Sequence, residues 1–403
     1  MTEPPHPPKP SSALPVLLVV YALGGLLATD TYLPSMPMLS EVFGTTEQSV
    51  QFTLTAYFAG VTIANLFYGP LSDRYGRRPV LLGGGIFFLV ATLVCALATS
   101  IEMLIFGRFA QGAAVCSLTV TSRATVRELY DDARVTKLNA YIAMAEGLAP
   151  ALGPVIGAEI LLLLGWRWNF FLVLVLAGLA LIGLFFALPE SNVRPNRDAL
   201  RPWPIITVYG RLLMTRDFIG PVLAAGLIFG GLMLYITVAP FLIIDEMGLT
   251  PREFGQTQGG VVVAYMVGLI TSTRLITRTG PVALLCLGLI SIVAGGVSML
   301  VLALTGYTGF WSFVLPFVAY ALGIGIAMAP MLTRALSADR SATGSVAALL
   351  GTLTMACAYI GSQTATVIYD GTTLPVAWAI AGISVGAGII YVVTDFHRLF
   401  ARG

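Results

Sequence analysis

Charge is what this sequence has least of. Its 403 residues hold 22 Lys and Arg against 20 Asp and Glu, so charged residues make up 10% of the chain. Soluble domains carry about 25%, and a chain this poor in charge has lipid for most of its solvent. The net charge of +2 says little, because placement matters more than the sum. Histidine is nearly absent: His6 and His397 stand near the two ends, which excludes a buried histidine metal site. The four cysteines, Cys95, Cys116, Cys286 and Cys357, lie inside apolar runs at spacings that suit neither a disulfide framework nor a zinc site. They read as small core residues. No nucleophile–base pair argues for an enzyme, and neither a cofactor nor a nucleic-acid partner is expected. Residues 1–12 contain five prolines and no apolar stretch, so they read as a short disordered tail and not as a signal peptide.

What the chain does have is long apolar runs. Residues AVILMFWYC make up 57% of it, with a mean hydropathy of +0.87. A helix needs about 20 apolar residues to cross a bilayer. Runs that meet this requirement lie at 13–36, 50–70, 80–99, 103–126, 138–162, 167–188, 218–243, 256–277, 282–304, 309–332, 343–368 and 374–394. The long basic connection 190–217 divides them into six and six. The expectation is an all-α membrane protein: a tail over 1–12, a six-helix bundle over 13–189, a linker over 190–217, a second bundle over 218–394 and a tail over 395–403.

Basic residues collect on the cytoplasmic side of a membrane protein. With both termini placed there, all but three of the 22 basic residues fall on inner segments. The exceptions are Arg167 and Arg252 on outer loops and Arg108 within a span. Acids mark the outer loops: Glu41, Glu47, Glu102, Asp245, Glu246, Glu253 and Asp370. The two halves also echo each other. Gly112 is followed eleven residues on by Arg123-Ala124, as Gly323 is by Arg334-Ala335, and Pro79-Val80-Leu81-Leu82 opening span 3 resembles Pro281-Val282-Ala283-Leu284 opening span 9. Paired six-span halves suit a transporter with its site near the midplane.

The loop between spans 2 and 3 runs Gly69-Pro70-Leu71-Ser72-Asp73-Arg74-Tyr75-Gly76-Arg77-Arg78. It resembles the signature G-x-L-x-D-R-x-G-R-R of the major facilitator transporters at every defining position. The motif needs a glycine-permitted turn that presents one carboxylate and several guanidinium groups. The resemblance implies a major facilitator fold and a conformational role for Gly69, Asp73, Arg74, Gly76, Arg77 and Arg78. It also implies that Asp73 helps hold one side closed, facing the capping sequence Ser341-Ala342-Thr343 that starts span 11. The bland alternative is that the arginines only obey the charge rule.

Three further stretches carry the resemblance. Span 1 contains Asp30-Thr31-Tyr32-Leu33-Pro34-Ser35-Met36-Pro37, similar to the bicyclomycin and chloramphenicol resistance (Bcr/CflA) branch of the drug:proton antiporters. An ionisable group inside a span is expensive and by default functional, so Asp30 is the proton-carrier candidate. The alternative is a solvated Asp30 at the outer mouth. Span 4 contains Arg108-Phe109-Ala110-Gln111-Gly112, matching the family's R-x-x-Q-G. Arg108 should lie at the depth of Asp30, either to modulate it or to serve a structural role on backbone carbonyls of span 1. Span 5 contains Ala149-Pro150-Ala151-Leu152-Gly153-Pro154-Val155-Ile156-Gly157, similar to the antiporter motif G-x-x-x-G-P-x-x-G with Ala149 in place of its first glycine. Small residues at that spacing admit another helix closely. This motif implies export.

Glu146 precedes Pro150 by one helical turn, and the family pattern has no acid there. A well-known multidrug member carries a glutamate in span 1, eight residues before its aspartate; Ala22 stands at that place here. Glu146 either supplies the second carboxylate, taking a proton or pairing with a cationic substrate, or pairs with an arginine such as Arg123. Further substrate-contact candidates are Tyr32, Tyr57, Gln111, Cys116, Ala149, Tyr235, Met328, Met355 and Tyr359, chosen as amphipathic, pliable or small side chains in spans that line a central cavity. Taken together, the expectation is a monomeric transporter in a bacterial inner membrane. It would exchange protons for small lipophilic compounds by alternating access, or else export one endogenous metabolite or siderophore.

Overall fold

Apolar runs in lipid can satisfy their backbone dipoles only within helices or closed barrels. The computed structural model describes residues 11–192, 202–338 and 343–400, and every regular element in them is helical. The expectations for residues 1–10, for Arg194, Arg197 and Arg201 in the linker, for Arg340 and for the Ser341-Ala342 turn lie outside the described residues.

The chain begins with α1 (Leu14–Asp30), which carries a proline at its first turn where the missing N–H costs nothing. A 3₁₀ turn at Leu33–Ser35 contains Pro34 and leads into α2 (Met36–Phe43). Then come α3 (Glu47–Tyr75), α4 (Arg77–Ala96), α5 (Ile101–Cys116), a π-helical turn at Ser117–Thr121 and α6 (Ser122–Leu129). α7 (Asp132–Leu164) and α8 (Arg167–Ala187) follow. Caps set several starts: Ser100 Oγ accepts from Met103 N at 3.3 Å, and Asp131 Oδ1 accepts from Arg134 N at 2.8 Å. The linker holds a helix that periodicity alone did not single out, α9 (Pro202–Leu213). Beyond it lie α10 (Arg216–Pro240) with a π-helical extension Phe241–Glu246, α11 (Pro251–Leu304), α12 (Phe310–Leu336), α13 (Thr343–Ile368) and α14 (Thr373–Phe400).

Among the described residues, eleven stretches are long and apolar enough to span a membrane. One of them, α11, has 54 residues. At about 1.5 Å per residue it exceeds twice the ~30 Å hydrocarbon core. Its helix is interrupted at Gly280, with φ 77° and ψ 164°, next to Pro281. That break supplies two spans where the sequence places spans 8 and 9, giving the expected twelve.

The chain forms two compact units. The first contains residues up to Ser35 together with Ala56–Pro202. The second contains Met36–Thr55 together with the chain from Trp203 onward. Residues 36–55 thus group with the later helices, not with their sequence neighbours. Polar contacts show why. Thr55 shares a hydrogen bond of 2.8 Å with Ser362, Thr237 Oγ1 donates to Ser362 Oγ at 3.0 Å, and Gln48 Nε2 donates to the Tyr369 carbonyl at 3.4 Å.

Candidate functional site

The helix α1 ends at Asp30, so its last carbonyls need partners from elsewhere. Arg108 of α5 supplies one. Its Nη1 donates to the Ala28 carbonyl at 2.9 Å and to Gln111 Oε1 at 2.6 Å. A cation at a helix C-terminus is also favoured by the helix dipole. Gln111, one turn on, passes the constraint to α4 by donating to Thr92 Oγ1 at 2.9 Å. Arg108 is fully buried. Its guanidinium carbon lies 4.5 Å from the Tyr57 ring centre, 4.8 Å from that of Tyr32 and 6.0 Å from that of Phe170, within cation–π range of all three. Nε and Nη2 of Arg108 have no hydrogen-bond partner among the described residues. A buried guanidinium with two unused donors is set up to receive an anion or a polar ligand.

Asp30 stands next to this cage. It is half-buried, and no ion pair within 4.0 Å joins it to Arg108 among the described residues. The span 5 motif packs directly on it. A Cβ added to Gly153 would collide with the Asp30 Cβ, and one on Gly157 would lie 2.7 Å from the Thr31 carbonyl carbon. The two motif glycines therefore seat α7 on the last turn of α1, with the prolines Pro150 and Pro154 in the same helix. Ala149 is buried one turn below Gly153. Thus Asp30, Tyr32, Tyr57, Arg108, Gln111 and the α7 glycines, which are far apart in sequence, form one constellation within the first unit.

Glu146 lies elsewhere. Its Oε1 accepts from Arg123 Nη2 at 2.5 Å, and both side chains are substantially exposed, 57% for Arg123 and 36% for Glu146. This is the Arg123 pairing that the sequence raised as one of two readings. Cys116 is buried and its Sγ donates to the Val61 carbonyl at 3.3 Å.

The loop motif forms a second assembly in the first unit. Gly76 separates α3 from α4 with φ 99°, a backbone conformation that suits only glycine. Arg77 binds Asp73 Oδ1 at 2.6 Å and Glu128 Oε1 at 2.7 Å, and its Nη1 reaches Ser72 Oγ at 2.5 Å. The Glu190 carboxylate accepts the Arg77 N–H at 2.9 Å and the Arg78 N–H at 3.2 Å, satisfying the open first turn of α4. Arg78 Nη2 donates to the Phe185 carbonyl at 2.9 Å. Asn192 Nδ2 donates to the Asp73 carbonyl at 2.9 Å, and Ser191 Oγ donates to Glu128 Oε2 at 2.6 Å. The Gly69 carbonyl accepts from Ser72 Oγ at 2.9 Å, and Arg74 is exposed and lies over the Tyr75 ring. Glu128, Glu190, Ser191 and Asn192 were not singled out from sequence. Their signal is weak: an acid after Arg127, and a polar Pro-Glu-Ser-Asn run that closes span 6.

The candidates of the second unit do not gather around a comparable site. Tyr235 is fully buried and stacks on Phe317, with ring centres 3.4 Å apart and 6° between planes, and on Phe313 at 5.1 Å. Met328, Met355 and Tyr359 are half-buried.

Twelve helical spans in two units, with a buried cation beside a span-borne carboxylate, define a polytopic membrane transporter. The chain matches the profile of the Major Facilitator Superfamily over residues 18–366 and belongs to that family; it is a transporter and not an enzyme. It is 31% identical over 341 residues to the multidrug transporter MdfA of Edwardsiella piscicida, covering 85% of this chain and 83% of that protein. It is 31% identical over 360 residues to the multidrug transporter MdfA of Yersinia pestis bv. Antiqua, covering 88% and 87%. Among solved structures, a POT family transporter in complex with 5-aminolevulinic acid superposes with a TM-score of 0.77 over 97% of both chains at 12% identity. A D-xylose–proton symporter superposes with a TM-score of 0.74 over 94% of this chain and 98% of its own at 18% identity. These two likenesses speak to the fold.

Proposed function

We propose that this protein exports small, largely lipophilic compounds, antibiotics among them, in exchange for protons. It would do so as a monomer in a bacterial inner membrane, with both termini in the cytoplasm. The observation that carries this reading is the packing of Gly153 and Gly157 on Asp30 and Thr31. It joins the export-type motif of α7 to Asp30, the acid beside the buried Arg108 cage, in one constellation. The multidrug transporters at 31% identity support the substrate class, and the Asp30-Thr31-Tyr32-Leu33-Pro34 run supports the Bcr/CflA branch.

In this reading Asp30 alternates between a neutral and a charged form. When charged, it turns toward the unused Nε and Nη2 of Arg108; when protonated, it releases that cation and leaves it to the rings of Tyr32 and Tyr57. Substrate and proton compete because both act on the same site, and the α1–α7 contact converts the local change into movement between states. The Arg77–Asp73–Glu128 assembly holds one of those states.

The test is Asp30→Asn in a drug-susceptible bacterium and in liposomes. The variant should lose active efflux against a gradient while still binding substrate. An asparagine variant that pumps like the parent would remove Asp30 from the mechanism.

A further inference from the structure

A group of buried hydroxyls in the first unit has no part in the site just described. It lies where α1, α3, α4 and the π-helical turn after α5 meet. α4 carries Gly83-Gly84-Gly85 there. A Cβ on Gly84 would collide with Ser117 Oγ and lie 3.2 Å from the Tyr68 ring, and one on Gly85 would collide with Tyr21 Oη. The two glycines make a recess for these side chains, and Ser117 neighbours both phenols. Ser117 Oγ donates its proton to the Ala114 carbonyl at 2.8 Å, so its lone pairs are open to a donor.

Three hydroxyls have no hydrogen-bond partner among the described residues: Tyr21 Oη at the recess, and Thr121 Oγ1 and Ser122 Oγ at the far end of the π-helical turn that Ser117 begins. Tyr21 and Thr121 are fully buried and Ser122 nearly so. Leaving a buried hydroxyl without a partner is costly. Internal water is the usual partner for polar groups grouped in this way. Ser117 and Thr121 bound the π-helical turn, a widening of the helix that recurs at functional positions.

On the side of the site, polar neighbours within the same unit lead away from the recess. Toward the site, Tyr57 neighbours Asp30 and Cys116, and Cys116 neighbours Tyr68. Asp30 and Tyr21 are nine residues apart on α1, about 14 Å along its axis. At the other end, Ser122 is followed by Arg123, whose guanidinium holds Glu146.

We propose that the recess at Gly84 and Gly85 holds ordered water, and that a proton released by Asp30 travels through Tyr21, Ser117 and Thr121 to Glu146. Each hydroxyl or water accepts a proton on its oxygen and passes its own to the next, so nothing is consumed. Asp30 ends as carboxylate, and the Glu146 carboxylate takes the proton before giving it to bulk water. This route rests on the reading of Asp30 as the coupling carboxylate.

The test uses the full chain in liposomes, with an internal pH dye to read proton flux and ethidium as the transported probe. Tyr21→Phe alone, and Tyr21→Phe with Ser117→Ala, remove hydroxyls and little volume. Proton-coupled ethidium flux should fall about tenfold or more, at an unchanged half-saturating concentration. Ethidium counterflow, which needs no net proton movement, should keep the parent rate. Coupled flux at the parent rate in both variants would overturn the route. So would a parallel loss of coupled flux and counterflow, which marks a structural role. Asp30→Asn in the same assay separates the two readings. If it loses proton flux while the hydroxyl variants keep theirs, the route alone fails. If it keeps proton flux, the coupling assignment fails and the route with it.

Discussion

Gly153 of α7 lies so close to Asp30 of α1 that no Cβ fits between them. A carboxyl-bearing residue on one helix is thereby held against a small-residue patch on another, and neither helix can shift without disturbing Asp30. The small-residue motif of α7 then has a direct physical meaning: it seats α7 on the last turn of α1.

Gly153→Leu should therefore force the two helices apart. Overpacking of a close contact costs about 1–3 kcal/mol, so a lower melting temperature in detergent is expected, together with loss of drug resistance. Leu152→Ala on the exposed flank of the same helix should leave both unchanged.

Arg108→Lys keeps a positive charge but loses the planar fork that bonds Ala28 and Gln111 and lies between two tyrosine rings. The two residues are not interchangeable at a stacked, multiply bonded site. Transport by the lysine variant should fall by at least ~tenfold, the equivalent of about 1.4 kcal/mol. Initial rates of ethidium efflux would measure it, and near-parent rates would show that charge alone suffices.

Glu190 caps the first turn of α4 through the N–H groups of Arg77 and Arg78. Glu190→Ala should cost about 0.5–2 kcal/mol, the usual range for a lost helix cap. Gly76→Ala should cost about 1–3 kcal/mol, because a side chain at φ 99° is strained and would also meet the Glu190 carboxylate. Thermal unfolding of the single and double variants should show less than additive loss, since the second change touches a contact the first has already removed.

Glu146→Gln removes the ion pair with Arg123, which is substantially exposed. Exposed pairs contribute about 0–1 kcal/mol, so the melting temperature should hardly move. A slower proton-coupled flux at unchanged stability is the expected outcome. A large loss of stability instead would mark Glu146 as an architectural residue.

The twelve spans were legible because a helix that crosses lipid must be a long apolar run, and even the boundary between spans 8 and 9 was readable where Gly280 and Pro281 interrupt α11. The loop at Gly69 to Arg78 was legible because a glycine with positive φ and a set of fixed charges leave a strict pattern. The helix α9 was missed: at 12 residues it is too short for a span, and it lay in a stretch read as linker. The acceptor for Arg108 was foreseen only as one of several backbone carbonyls on span 1; that it is Ala28 follows from where α1 ends. Glu128 and Glu190 escaped notice because their partners are 51 and 113 residues away and include main-chain N–H groups that no side-chain pattern encodes.

By itself, then, the sequence determined the solvent of this protein, its helices, its superfamily and the short list of charges that lipid would make costly. Only the tertiary structure decided which of those charges meet. It placed Asp30 beside an incompletely bonded Arg108 and gave Glu146 to Arg123, although both acids stand in motif-bearing spans. The reason is that burial and pairing depend on helix ends and close approaches between distant segments, and one glycine without a Cβ is enough to set them.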